Sequence, residues 1–354
     1  MSIHTILGAG GVIADTLASE LSAAQLPVRL VSRHPAIPVS LRSAGGGVVD
    51  GKAGTGAVGG GTAATGASGV SGVPGVTAGP APTLLAADLT HPDQALAAID
   101  GSTVAYLCVG LPYKYSVWRQ QWPRIIDNTI EACKQTGAKL IFFDNVYMYG
   151  KTEGPMTEET PYDPSSRKGD LRARLATQVM SEVRKGNITA MIARAADFYG
   201  PGAGKTSIPD ILVFQKLRQD KKAQWLVNTN VRHSFTYTPD AARALYLLAT
   251  DDNAWNQVWH LPTAPAPLTG AEFIAKAAHA LGKTNHYSVL SKWMIRLGGL
   301  FDSTTKELYE MLYQYEFDYL FDSSKFESAF HFQPTSYEEG IKATANAYRN
   351  GTGF

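Results

Sequence analysis

The run Ile3-His4-Thr5-Ile6-Leu7 passes directly into Gly8-Ala9-Gly10-Gly11-Val12-Ile13-Ala14, and a helix-like stretch continues from Asp15 to Leu21. A strand that turns through glycines into a helix leaves the first helical N–H groups without intrahelical partners, and these, with the helix dipole, form a site for an anion. Gly8 permits the tight turn, Gly11 lets phosphates approach the backbone, and Ala14 is small enough for helix to strand contact. The small residues at 8, 11 and 14 read G-x-x-G-x-x-A, looser than the strict dinucleotide fingerprint G-x-G-x-x-G.

The turn gains weight from its position at the head of a series in which short β-branched runs alternate with amphipathic helical stretches. Strands are expected at Thr5 to Leu7, Val28 to Val31, Thr83 to Ala86, Val104 to Val109, Leu140 to Asp144 and Thr189 to Arg194. Helical apolar spacing shows at Ile125, Ile126, Thr129, Ile130 and Cys133, and again at Leu171, Leu175, Val179 and Val183. This alternation predicts an α/β fold, a doubly wound parallel sheet of Rossmann type, with a smaller, mostly C-terminal substrate domain. The expected division is a NAD(P)-binding domain over residues 1–200 and a mainly substrate-binding part over 201–354, with segments around 232–262 returning to the nucleotide domain. Shorter strands at Gln224 to Val227 and Val258 to Leu261, and helices at Thr269 to Leu281 and Thr305 to Tyr315, are expected in that second part.

Residues 45–80 hold 14 of the 34 glycines, no aromatic residue and only Asp50 and Lys52 as charges. Such a stretch cannot bury enough apolar surface to offset the entropy of ordering, and it reads as a low-complexity insert in a surface loop, with no role assigned. The whole chain of 354 residues has 32 Lys and Arg against 31 Asp and Glu. A net charge of +1 lacks the field that gathers nucleic acid, so no nucleic-acid partner is expected. Cys108 and Cys133 alone indicate neither a disulfide framework nor a cysteine zinc site, and the histidines lack metal-ligand spacing, so no metal is expected. The first residues lack a basic start, an apolar stretch and a cleavage site, and no apolar run reaches about 18 residues. The expectation is a cytoplasmic protein with no membrane partner.

The second strand ends Leu30-Val31-Ser32-Arg33-His34, where a site that prefers NAD carries an acidic residue for the ribose 2′-hydroxyl. Ser32 and Arg33 stand there instead. A guanidinium can pair with a 2′-phosphate and no carboxylate repels it, which favours NADP(H) over NAD(H). The cofactor set read from these segments is Gly8, Gly10, Gly11, Val12, Ile13, Ser32 and Arg33. Asp88 and Leu89 join it near the adenine, and Val109 and Gly110 after the fourth strand. Asp88 has an alternative reading as a helix cap before His91-Pro92-Asp93.

Several later segments, taken with the glycine turn, resemble the extended short-chain dehydrogenase/reductase family, which includes sugar-nucleotide epimerases and dehydratases. Phe142-Phe143-Asp144-Asn145-Val146-Tyr147-Met148-Tyr149-Gly150 is similar to the end of the family's fifth strand, a serine-rich run followed by Val-Tyr-Gly. The segment Pro155 to Pro161 resembles the loop that comes next. Arg194-Ala195-Ala196-Asp197-Phe198-Tyr199-Gly200-Pro201-Gly202 resembles the segment whose backbone lies near the nicotinamide, and Arg232 to Asp240 resembles a Phe-x-Tyr-Val-x-Asp segment of the second domain. The resemblance implies a homodimer through the two long helices.

The family's catalytic set is a Tyr-x-x-x-Lys pair with an upstream Ser or Thr. Alignment on the family's motifs puts Asn145 at the serine, Lys168 at the tyrosine and Arg172 at the lysine, so all three are changed. The sequence is thus similar to an atypical subgroup with a degraded catalytic set. Asn145 can donate a hydrogen bond to a substrate carbonyl but cannot transfer a proton. Arg172 can supply donors to the nicotinamide ribose. Lys168 beside Arg172 and an oxidised nicotinamide reads as an acid/base lowered by like charge, or else as a solvated residue at a helix start. Tyr147, Tyr149 and Tyr162 stand as substitute acids or as packing residues. Tyr113, Tyr149 and Asp197 are the candidate substrate contacts; Tyr115 lies beside the first of them. Trp118 and Trp122 share a helix face and read as core or dimer contacts. Aromatic residues from Tyr309 to Phe321 read as a pocket wall or, from their period of two, a half-buried strand.

Two functions remain open from sequence. One is an NAD(P)-dependent oxidoreductase or epimerase-like enzyme acting on a small carbonyl or hydroxyl compound, such as a sugar derivative. The other is a non-catalytic NADP(H)-binding regulator or sensor.

Overall fold

A computed structural model describes residues 2–42 and 80–351. The expected insert at 45–80 lies, but for Pro80, outside the described residues. Seven parallel strands form the central sheet: β1 (Ile3–Leu7), β2 (Val28–Ser32), β3 (Thr83–Ala86), β4 (Ser102–Leu107), β5 (Lys139–Asp144), β6 (Ala190–Arg194) and β11 (Val258–His260). Their order is β11-β6-β5-β4-β1-β2-β3, so the winding direction reverses between β1 and β4. Loops on either side of such a reversal diverge and leave a crevice at the carboxyl ends of the strands.

Helices α1 (Val12–Ala23) and α7 (Thr238–Thr250) pack on one face of the sheet. On the other face lie α3 (Pro92–Ile99), α4 (Tyr115–Thr136) and α5 (Arg167–Arg184); α2 (Val39–Arg42) is a single short turn. Ile6, Val28, Leu30 and Ile141 face the α1 and α7 side, whereas Leu7, Val31, Leu107 and Phe142 face the other, as alternation along each strand requires. Trp118 and Trp122 of α4 are core residues, packed against Tyr147 and Phe142. Both cysteines are thiols whose pKa burial pushes up to about 12.

The remaining elements build a second core over the carboxyl ends of the sheet. They are β7 (Asp197–Tyr199), α6 (Gln215–Arg218), β8 (Ala223–Leu226), β9 (Arg232–His233), β10 (Phe235–Tyr237), β12 (Leu268–Thr269), α8 (Gly270–Leu281), β13 (Tyr287–Leu290), α9 (Lys292–Gly298), α10 (Ser303–Leu308) and α12 (Tyr337–Arg349), whereas α11 (Ser324–Phe330) packs Phe326 and Phe330 on Trp259 of β11, on the α1 and α7 face. Phe214, Trp225, Phe273 and Tyr199 form its aromatic centre. Helices α8 and α12 each open with a capping box, Thr269 with Glu272 and Ser336 with Glu339.

The expected helix from Thr305 to Tyr315 departs from the structure, since α10 ends at Leu308 and Tyr309–Tyr315 tightens into a 3-10 helix. In that turn Met311 to Tyr315 are all buried, a demand the 3.6-residue spacing of one helix face cannot meet. The aromatic run beyond it makes only single bridges, Tyr319 to His233 and Phe321 to Met156. Its rings fill a cluster beside the cleft and do not form a strand of the sheet.

Candidate active site

The crevice at the sheet's reversal point is a cavity of about 560 Å³. Gly8, Gly10 and Gly11 line it from the first turn, Ser32 and Arg33 from the end of β2, and Asp88, Leu89, Val109 and Gly110 from the ends of β3 and β4. Gly8 has φ +104°, and a Cβ there would stand 2.6 Å from the Val109 Cα, so the two loops can meet only with glycine at this position. Strand β4 stops at Leu107, two residues before the expected end, and this frees Val109 and Gly110 to turn into the cavity.

Helix α1 starts from Gly11 with no side-chain cap, so the N–H groups of its first turn remain open to a ligand. Val12 and Ile13 contribute there through their backbone; the Ile13 side chain is buried in the core. The Gly10 N–H donates to Asp15 Oδ1 at 3.0 Å, and burial raises the Asp15 pKa. Asp88 caps no helix. Its Oδ1 accepts from the Thr90 N–H and hydroxyl, which together with Arg33 lower its pKa, while His91 is the residue that precedes α3. Gln121, Ile125 and Thr206 also line the cavity. Sequence reasoning missed them because their only signal, helix periodicity in the first two, also suits a core position.

Next along the sheet, β5 ends at Asp144 and β6 at Arg194, residues directly opposite in register. The buried Asp144 carboxylate pairs with two cations, Arg172 Nη2 at 2.5 Å and Arg194 Nε at 3.5 Å. The Arg172 guanidinium also lies 4.5 Å from the Trp122 ring and 5.0 Å from Phe142. Held in this way within the core, Arg172 is not among the residues that line the cavity, and its donors are turned to Asp144. The physical reason is the buried Asp144, whose charge needs a partner more than the cavity rim does.

Tyr149 is likewise withdrawn into the core. Its hydroxyl accepts from Arg194 Nη1 at 2.6 Å and lies 2.6 Å from His260 Nε2, while His260 Nδ1 lies 2.7 Å from the Asp322 carbonyl oxygen. That carbonyl can only accept, so Nδ1 carries the proton and Tyr149 donates to Nε2. Burial and the Arg194 charge lower the His260 pKa to about 3, in keeping with a neutral ring. Tyr162 receives another Arg194 N–H. Both tyrosines are therefore bound into a closed network, and Tyr149 has no exposed surface for a substrate.

Lys168 is fully buried, which removes the solvated reading. Its Nζ donates to Glu310 Oε1 at 2.7 Å and to the Glu307 carboxylate, and it lies 4.6 Å from the Tyr113 ring centre. The surrounding charge is opposite in sign to the like charge on which the acid/base reading rested, and Arg172 is itself neutralised by Asp144. Glu307 and Glu310 come from 139 and 142 residues further on, so no local motif could signal them.

Asn145 keeps a free donor. Its Oδ1 accepts the Tyr147 N–H at 3.1 Å, which fixes the amide rotamer and leaves Nδ2 without a hydrogen bond among the described residues. Asp197 and Tyr113 stay partly exposed, and Tyr147 faces the Tyr113 hydroxyl. Among the described residues no group of three or more His, Cys, Asp or Glu can hold a metal ion, and no helix is long and apolar enough to cross a membrane.

Residues 5–260 match the NAD dependent epimerase/dehydratase family. The chain belongs to this family. Solved structures agree on the fold: a match at TM-score 0.71 and 16% identity covers 99% of this chain and 100% of "MoeE5 in complex with UDP-glucuronic acid and NAD". DesIV, a dTDP-glucose 4,6-dehydratase from Streptomyces venezuelae with NAD bound, matches at TM-score 0.72 and 15% identity over 99% of this chain and 97% of that one. UDP-glucuronic acid 4-epimerase from Bacillus cereus in complex with NAD matches at 0.70 and 16% over 99% and 100%. No match is found among curated proteins. As a member of the epimerase/dehydratase family the chain is a nicotinamide dinucleotide enzyme of the oxidoreductase type. The glycine cradle, the uncapped start of α1 and the cavity fit that group.

Proposed function

We propose that this member of the epimerase/dehydratase family is an NADP(H)-dependent oxidoreductase or epimerase-like enzyme acting on a carbonyl or hydroxyl carbon of a sugar derivative. The observation that carries the reading is the single cavity shared by the glycine turn, Ser32, Arg33, Asp88, Val109 and Gly110. The sugar class is supported by the relatives' ligands, UDP-glucuronic acid among them.

In this reading the first-turn N–H groups of α1, from Gly11 to Ile13, hold the pyrophosphate, and Arg33 reads the 2′-phosphate. A bound nicotinamide supplies the hydride donor or acceptor. Asn145 Nδ2 holds the substrate oxygen at the reacting carbon, steadied by the Tyr147 N–H on its other end. Asp197 and Tyr113 face the substrate. Lys168 and Arg172 act as positioning residues, Lys168 by tying the segment carrying Glu307 and Glu310 to α5 and Arg172 by fixing the end of β5 through Asp144. The nucleotide domain is residues 1–200 completed by 232–262, the rest of 201–354 covers the substrate, and α4 with α5 forms a homodimer face.

The deciding experiment is to denature freshly purified protein and identify the released nucleotide, together with its exchange against NADP(H) and NAD(H). Bound NADP(H), or uptake of NADPH well above NADH, is the expected result. Absence of any nucleotide binding overturns the reading. Retention without exchange indicates internal redox cycling as in an epimerase, and rapid exchange indicates a reductase.

A further inference from the structure

Ile295 is the one buried residue of α9, and it packs into the second core. The other large apolar side chains of that helix, Trp293, Met294 and Leu297, are exposed. The chain then turns through Gly298 and Gly299 and presents Leu300 and Phe301, 76% and 88% exposed, before α10 begins at Ser303. Trp293 is 68% exposed, whereas the other tryptophans of the chain are all buried. This exposure is built into the fold and is not the fraying of a loose end. The N–H groups of Gly299, Leu300, Phe301 and Asp302 donate to the carbonyls of Ile295, Leu297 and Gly298 at 2.9 to 3.1 Å. A Cβ at Gly299 would stand 3.0 Å from the Lys306 Cα, so α10 closes directly on the turn. Large apolar side chains held together in water in this way mark a contact surface.

The charge around this tip is of one sign. The segment 292–306 carries Lys292, Arg296 and Lys306 against Asp302 alone. Asp302 is turned to its own backbone: its Oδ2 caps α10 by accepting the Thr305 N–H at 2.6 Å. The Thr305 hydrogen bonds first, and the Lys114 charge after them, hold the Asp302 carboxylate below its ordinary pKa. The carboxylates that follow are also taken, Glu307 by Lys168, Glu310 by Lys168 and Arg167, and Glu316 by Lys292 at 2.6 Å. Arg296 is exposed on α9 and Lys306 on α10, and neither has an ion pair among the described residues.

We propose that Trp293, Met294, Leu297, Leu300 and Phe301, with Arg296 and Lys306 at their rim, dock on the surface of a bilayer that contains anionic lipid. Trp, Leu and Phe side chains enter the boundary between headgroups and acyl chains, and cations beside them meet the negative headgroups. A second copy fits less well, because a two-fold contact would bring Arg296 and Lys306 of both chains together with no free carboxylate between them. The expectation of no membrane partner rests on spanning segments and a leader, and a surface of this kind uses neither. No helix among the described residues crosses a membrane, and α9 would lie on one.

The test mixes the full chain with vesicles of phosphatidylcholine alone, or of phosphatidylcholine with phosphatidylglycerol, and reads co-sedimentation and tryptophan emission. Trp293 is the only tryptophan not buried, so the emission reports on the tip itself. Binding to the anionic vesicles is expected to be about tenfold or more tighter than to the neutral ones, with a blue shift of the emission. Leu300→Gln together with Phe301→Gln should weaken this binding by at least about tenfold. Arg296→Gln together with Lys306→Gln should remove most of the preference for anionic vesicles. All four positions are exposed, so thermal melts of the variants should match the unmodified chain. Should a variant fold poorly, salt gives a second reading on the unmodified chain, which it should release from the anionic vesicles. The proposal is overturned by no binding to the anionic vesicles, by equal binding to both kinds, or by binding that survives both the Leu300 and Phe301 substitutions and salt. It is also overturned if the chain dimerises without vesicles and the Leu300 and Phe301 substitutions disperse the dimer, which assigns the face to a second copy.

Discussion

A single charged residue at this site can be understood only with its counter-ion. Lys168 looks catalytic in a linear reading, yet two carboxylates from α10 and the turn after it hold its ammonium. Lys168→Met should therefore lower stability by about 3 kcal/mol, because it leaves the largely buried Glu307 without its ion-pair partner and Glu310 with Arg167 alone. Chemical denaturation reads this loss directly. Arg33→Ala belongs to the opposite case, an exposed residue lining a cavity, and should weaken NADPH about 10 to 100-fold more than NADH. Equal losses for the two nucleotides would remove Arg33 from the 2′-phosphate. Gly8→Ala is expected to impair both folding and nucleotide binding, since the φ of +104° and the Val109 backbone 2.6 Å from the new Cβ both oppose it. Thermal melts with and without NADPH separate the two effects.

Among the helices and strands, α10 and the 3-10 turn after it form a strap across the start of α5. The strap is fastened to α5 by Lys168 and Arg167 and reaches Tyr113 through the lysine. Amide exchange over residues 303–315 should be slow in the native protein and, in Lys168→Met, should speed up by more than the common factor that the loss of global stability brings to β1 to β5. Uniform acceleration throughout would mean that the lysine supports the whole fold and not the strap. The elements themselves were legible: five of the six first strands were expected within two residues at each end, and β3 in full. The short apolar runs of the buried parallel strands, and the apolar faces of α4 and α5, carry that information locally.

For the molecule as a whole, two buried groups set opposing responses to pH. His260, lowered to about 3, binds its proton more readily unfolded, so its contribution to stability rises with pH from about 3 to 6.5. Asp210, raised to about 7 by burial against the hydrogen bonds of Ser207 and Tyr348, holds its proton in the folded state and loses it on unfolding. Its contribution is present in full below about 3.8 and declines up to about 7. The two slopes offset each other where they overlap. Asp210→Asn should remove one of them and expose a rise of stability with pH of up to about 1.4 kcal/mol per unit between about pH 4 and 6.5. Unfolding curves across that range check the sign.

The sheet, its doubly wound character and the nucleotide cleft were already written in the linear chain. Those depend on short-range patterns: glycines where a strand becomes a helix, apolar runs along strands, and apolar stripes on helices. The cavity-lining residues Gly8, Gly10, Gly11, Ser32, Arg33, Asp88, Leu89, Val109 and Gly110 lie within a few residues of strand ends, so a strand assignment was enough to place them. Which ionisable groups are free is a property of the folded chain alone. Asp144 takes Arg172 and Arg194, Glu307 and Glu310 take Lys168, Tyr149 closes on His260, and Asp197 meets His233. These pairings join residues 28 to 142 positions apart, and the burial that makes an unpaired charge costly exists only once the two cores have closed over the sheet.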